Sequence, residues 1–166
     1  QAVREALKYK VDMLTVHTLS GPTALKEVAN ACRGSKTKIL GVTILTSICP
    51  HFLKDLKVQR KLSDEVLYLA KMAKRCGLDG VVASPEEAKI IRKNLGKNFI
   101  IATPGIRPAS AGADDQKRIV DVRTAFLDGA SYVVVGRPIR RAADPLAVVA
   151  QMQKDIALAL SDRKGS

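Results

Sequence analysis

The sequence contains no tryptophan, and only 4% of its residues are aromatic. Flat side chains on which nucleic-acid bases stack are therefore scarce. It also lacks any uninterrupted apolar run near the ~18 residues that a membrane-spanning helix needs. The amino-terminal stretch QAVREALKYK is amphipathic and charged, without the apolar centre of a signal peptide. Its three cysteines, Cys32, Cys49 and Cys76, form no close-spaced pair and are odd in number. They read as reduced, buried thiols in a cytoplasmic protein. There is no repeat of fixed period, no low-complexity tract and no linker, so residues 1–166 are expected to form a single domain.

Positive charge, by contrast, is abundant. Lysine and arginine number 28 against 16 acids, a formal net charge of +12. An anionic small molecule, a nucleic acid or a basic solvated surface would each account for that excess. The basic residues are scattered over helical positions rather than gathered in one block. With so few aromatics, nucleic acid is not the expected main partner.

Strand-like and helix-like segments alternate along the chain. VDMLTVH (residues 11–17), TKILGVTIL (37–45), LDGVVA (78–83), NFIIAT (98–103) and SYVVVG (131–136) are short, apolar and rich in β-branched residues. GPTALKEVANACRG has helical spacing, with Leu25, Val28, Ala29 and Cys32 on one face and Gly34 as a stop. Ser63 before Asp64 and Glu65 reads as an N-cap of a helix running to Arg75, with Gly77 beyond it. SPEE (84–87) is a capping box with proline at the first helical position. Asp144-Pro145 opens the last helix, which carries Leu146, Val149, Met152 and Ile156 on one face. Near-continuous apolar strands between amphipathic helices predict an α/β fold, a parallel sheet covered by helices.

Polar residues gather where the strands end. Thr46 and Ser47 follow the second, Pro104 to Arg107 the fourth, and Gly136 and Arg137 the fifth. Ligand sites of parallel α/β folds lie beyond the carboxyl ends of the strands. Arg107, after the turn Pro104-Gly105-Ile106, and Gln116, at the far end of the same loop, offer a guanidinium and amide donors. Gly136 lets the backbone approach a ligand closely, and Arg137 opens a short helical turn. Two arginines at adjacent strand ends suit a phosphate dianion, which arginine grips bidentately. The competing reading, that Arg107 and Arg137 are solvated or paired with Asp114 and Asp115, stays open on spacing alone.

Four collinear motifs sharpen the picture: KRCGLDGVVASPEEA, TPGIRP, the following DQKR, and VVVGRPI. With MLTVH and VTILTS in the same order, they resemble bacterial orotidine 5′-phosphate decarboxylases over nearly the whole chain. That family is a cofactor-free (β/α)8 TIM barrel that converts orotidine 5′-phosphate to UMP and CO2, the last step of de novo pyrimidine synthesis. The resemblance implies that Arg137, with Gly136 beside it, holds the phosphate together with Arg107. It implies that Gln116 spans phosphate and pyrimidine, that Thr46 and Ser47 face the base, and that Pro104 lines the pocket near it. His17 falls where the family also has histidine, and a structural hydrogen bond is expected of it.

The chain departs from that family in one respect. The chemistry there belongs to an Asp-x-Lys-x-x-Asp array on the third barrel strand, upstream of the segment matching MLTVH. Only Gln1 to Lys10 precede that segment here, so the expectation is an incomplete barrel of about five parallel strands without the array. Asp55-Leu56-Lys57 copies half of the motif but has Arg60 in the final position, and it reads as a solvated face. No catalytic residue is therefore assigned, and the chain alone is expected to lack decarboxylase activity. A truncated gene, a proteolytic remnant and a chain completed by a partner would each explain the difference. The family's homodimer shares residues of that upstream segment across its interface. Two alternatives remain: a sister sugar-phosphate decarboxylase or aldolase, which uses a metal, and a non-catalytic phosphate- or nucleotide-binding module.

Overall fold

The computed structural model describes residues 1–46, 50–55, 57–106 and 120–164. Five strands, β1 (Met13–His17), β2 (Lys38–Val42), β3 (Gly80–Val82), β4 (Ile100–Pro104) and β5 (Tyr132–Val134), form one sheet in sequence order. Every neighbouring pair is parallel, with Thr15 opposite Leu40, Leu40 opposite Gly80, Gly80 opposite Ile100, and Ala102 opposite Tyr132. Each crossover contains helix: α2 (Gly21–Ala31), α3 (Pro50–Asp55) with α4 (Leu62–Arg75), α5 (Pro85–Leu95), and α6 (Val122–Leu127). α1 (Ala2–Lys8) precedes β1, and α7 (Arg137–Arg140) and α8 (Pro145–Lys164) follow β5. Among the described residues no helix is long and apolar enough to cross a membrane.

All five expected strands are present, mostly shorter than their apolar runs. Ser84 caps α5 by accepting from the amide of Glu86 at 3.2 Å, and Asp144 accepts from the amide of Ala147 at 3.0 Å. Ser63 does not cap α4: the helix begins one residue before it, at Leu62, and Lys61 occupies the cap position without a side-chain bond. Leu146 is not on the buried face of α8 but 82% exposed. The packed stripe is Val148, Met152, Ile156 and Ala159, which keeps Met152 and Ile156 of the expected face and puts Val148 in place of Leu146 and Val149. Cys32 and Cys76 are buried thiols, whereas Cys49 lies outside the described residues.

The sheet has two unlike faces. Alternate residues of each strand point to opposite sides. Leu14, Val16, Ile39, Val81 and Ile101 belong to, or pack on, a core shared with α2, α4 and α5. Val133 and Val135 pack on a smaller cluster with α6 and α8, around Phe126 and Met152. The intervening residues, among them Met13, Thr15, His17, Leu40, Val42, Val82, Ala102, Tyr132 and Val134, belong to neither cluster. Leu40 and Ala102, in the middle strands, are still buried, but Tyr132 is 48% and Val134 57% exposed. His17 shares that open side, is exposed, and makes no side-chain hydrogen bond among the described residues, against the structural bond expected of it.

The rim at the amino-terminal ends of the strands is tied shut. Asp79 accepts from the Ile39 amide at 2.9 Å and from Lys38 Nζ at 3.1 Å. The Thr37 hydroxyl donates to Val11 O at 2.7 Å, and Ser131 Oγ accepts from the Ile101 amide at 3.2 Å. Arg92 is the hub: its guanidinium donates to the carbonyls of Gly96, Lys97, Phe99 and Gly129 and to Ser131 Oγ, at 2.7–3.0 Å. Burial, and next the charge of Arg163, lower the pKa of Arg92.

Candidate functional site

At the opposite rim, three threonines carry each tie to the next strand. Thr18, just past β1, donates its hydroxyl to Val42 O of β2 at 2.8 Å. Thr43, just past β2, donates to Val82 O of β3 at 2.9 Å, and Thr103 of β4 donates to Tyr132 O of β5 at 3.3 Å. All three are buried. A buried hydroxyl without a partner costs free energy, so these bonds satisfy the polar groups while fixing the strand ends that carry the site loops. Nothing in the apolar pattern of the strands predicts them; the available signal is a threonine placed where an apolar run stops.

The predicted site residues within the described chain all fall on this rim. Thr46 lies in an exposed turn four residues after β2. Pro104 ends β4, half-buried, and pairs with Val134 of β5. Gly136 caps the four-residue α7 and Arg137 is its first residue. Pro104, Gly136 and Arg137 are thus brought together at the ends of adjacent strands. Thr46 follows a strand two positions along the sheet from β4, about 10 Å away at a strand spacing near 4.8 Å. Ser47, Arg107 and Gln116 lie outside the described residues, as do Asp114 and Asp115.

Arg137 is not isolated. Arg140 and Arg141, exposed residues in the same helical turn, were not singled out from the sequence. Among the described residues none of the three guanidiniums forms an ion pair or side-chain hydrogen bond. The arrangement is a cluster of three positive charges beside a glycine, on the open end of the sheet, suited chemically to an anion with several oxygens. The decoy segment lies apart: Asp55 ends α3, and Lys57, exposed at φ +56°, follows Leu56, which is outside the described residues. Among the described residues no group of three histidine, cysteine, aspartate or glutamate side chains converges to hold a metal ion.

Comparison with known proteins gives a consistent result. Residues 1–152 match the family model described as "Orotidine 5′-phosphate decarboxylase / HUMPS family". An orotidine 5′-phosphate decarboxylase of Trichlorobacter lovleyi is 42% identical over 151 residues, which cover 88% of this chain and 63% of that protein. One from Wolbachia pipientis is 46% identical over 142 residues, covering 85% of this chain and 62% of its own length. A crystal structure of orotidine 5′-phosphate decarboxylase from Lactobacillus acidophilus superposes with a TM-score of 0.80 at 35% identity. That match covers 93% of this chain and 67% of the other. The chain thus spans somewhat under two thirds of the length of these first two relatives.

Proposed function

The chain belongs to the orotidine 5′-phosphate decarboxylase / HUMPS family, and from that membership we propose that it carries the substrate-holding part of a carboxy-lyase acting on orotidine 5′-phosphate. Meeting of Pro104 with Gly136 and Arg137 at adjacent strand ends is the observation that carries this reading. Arg137 takes the phosphate, with Arg107 reaching it from the β4 loop. Gln116 bridges towards the pyrimidine, while Thr46, Ser47 and Pro104 border the base.

Loss of CO2 leaves a carbanion on the ring, and a cofactor-free site has no electron sink to accept it. Contacts to the distant phosphate then organise the reacting end, so that binding energy from a non-reacting group lowers the barrier. In the family the resemblance points to, the lysine that protonates the ring and the carboxylates that orient it stand on a strand preceding the segment that matches β1, so none of the residues named here is given that role. Residues 1–166 are accordingly part of one barrel domain, inactive as they stand. With this reading goes a cytoplasmic location, while the homodimer goes with a barrel that includes the upstream segment shared across its interface.

UMP titration into the labelled chain, followed by amide NMR, tests the proposal. The expected shifts centre on Gly105, Gly136 and Arg137, and Arg137→Gln weakens UMP at least tenfold. Uridine binding as tightly as UMP, or UMP binding unchanged by that substitution, would overturn it. A segment carrying the Asp-x-Lys-x-x-Asp array, added to the chain, is expected to restore turnover.

A further inference from the structure

Four arginines of the described fold are held by structural partners. Arg60 bonds Glu65 at 2.9 Å and lies over the Tyr68 ring, Arg123 bonds Asp162 at 2.7 Å, and Arg163 donates to Phe126 O at 3.1 Å. Arg92 holds four carbonyls. Outside the arginine cluster that begins α7, Arg33 and Arg75 stand apart because they point to a common place without a partner there. They line a groove of about 440 Å³ between α2 and the end of α4, together with Lys26, Asn30, Cys76 and Gly77. Lys26, Asn30 and Arg33 follow one another at i, i+4 and i+7, so they form one stripe along α2 and its C-terminal turn. Gly77, with φ +88°, turns the chain tightly at the groove's floor.

None of the three cations has an ion pair or side-chain hydrogen bond among the described residues, and no carboxylate lines the groove. Helix dipoles favour a cation near a carboxyl terminus. That accounts for one basic residue per helix, and in α4 the adjacent Lys74 already donates to Leu95 O at 2.8 Å. It does not account for two helices directing three cations into one concavity. Because α2 and α4 end where β2 and β3 begin, the groove lies at the opposite end of the sheet from Arg137.

We propose that this groove is a second anion site, one that binds a diphosphate group. Three exposed positive charges and an amide match the charge and oxygen count of a diphosphate, which two guanidiniums can grip from both sides. The volume exceeds what a single phosphate fills and falls in the range of small-ligand pockets. Inorganic diphosphate and the diphosphate of a nucleotide share this chemistry.

Amide NMR of the full chain, titrated separately with inorganic diphosphate, a nucleoside diphosphate, orthophosphate and duplex DNA, distinguishes the outcomes. Diphosphate is expected to shift Asn30, Arg33, Arg75 and Gly77. The pair Arg33→Gln with Arg75→Gln weakens it at least tenfold with the spectrum otherwise unchanged, while Arg137→Gln leaves it as it was. A nucleoside diphosphate binding more tightly than diphosphate identifies the organic source, and equal affinity identifies the free ion. The site is ruled out if diphosphate shifts no resonances there, if binding survives loss of both arginines, or if Arg137→Gln abolishes it. It is equally ruled out if only DNA binds, with affinity falling steeply in salt because neutralising several phosphates releases their counterions.

Discussion

The two faces of the sheet are made from similar residues and have opposite fates. On one, Leu14, Val16, Ile39, Val81 and Ile101 are packed under α2, α4 and α5. On the other, Thr15 and His17 at one edge and Tyr132 and Val134 at the other are open. Apolar content alone does not decide what is buried. What decides it is whether the chain returns over that face, and every crossover here returns on the same side, as the right-handed connection of parallel strands requires. The open face is the one over which none of these crossovers returns.

Breaking the covered face should have the largest effect. Ile101→Ala, at a fully buried position, is expected to cost about 2–5 kcal/mol through lost burial and a residual cavity, read by urea denaturation. Next comes the tied rim: Arg92→Ala strands four carbonyls and should cost about 2–3 kcal/mol, with Arg92→Lys restoring little because an ammonium cannot copy the planar fork. Thr43→Val removes one buried hydroxyl from its carbonyl and should cost about 1 kcal/mol in the same assay.

A smaller effect concerns pH. Burial pushes the Asp121 carboxyl up, but bonds from the amide and hydroxyl of Thr124, and from the Arg123 amide, outweigh it and hold the pKa below the usual carboxylate value. The stabilisation is present above the unfolded-state pKa and lost as pH falls through the lowered folded one. Asp121→Asn, which can still cap α6 but carries no charge, should therefore lower neutral stability towards the value the acid limb reaches and flatten that limb of a stability–pH curve. The smallest effect belongs to the open face. Val134→Thr should stay within about 0.5 kcal/mol, and a loss comparable to that of Ile101→Ala would contradict the contrast between the faces.

Much of this architecture was legible because parallel strands buried between layers read as apolar runs, and Gly34 and Gly77 punctuate them. The ends were harder. Ser63 carries the chemistry of a cap, yet the helix starts at Leu62, a choice set by packing that no local pattern records. Leu146 fits a helical stripe as well as Val148 does, and only the position of α6 selects the latter. Of the site, the strand-end positions of Thr46, Pro104, Gly136 and Arg137 follow from alternation of strand and helix. The threonine ties and the Arg92 hub did not, because each joins residues on different strands or helices through carbonyls, which carry no side-chain signature.

Those ties also bear on how the arc keeps its shape. At both ends of the strands the side-chain ties join β1 to β2, β2 to β3 and β4 to β5, and among the described residues none joins β3 to β4. A tied group of three strands and a tied pair therefore meet along the β3–β4 ladder. Along that seam the sheet is held by backbone bonds and by the packing of α4 on α5, so a change of curvature is expected there before anywhere else in the sheet.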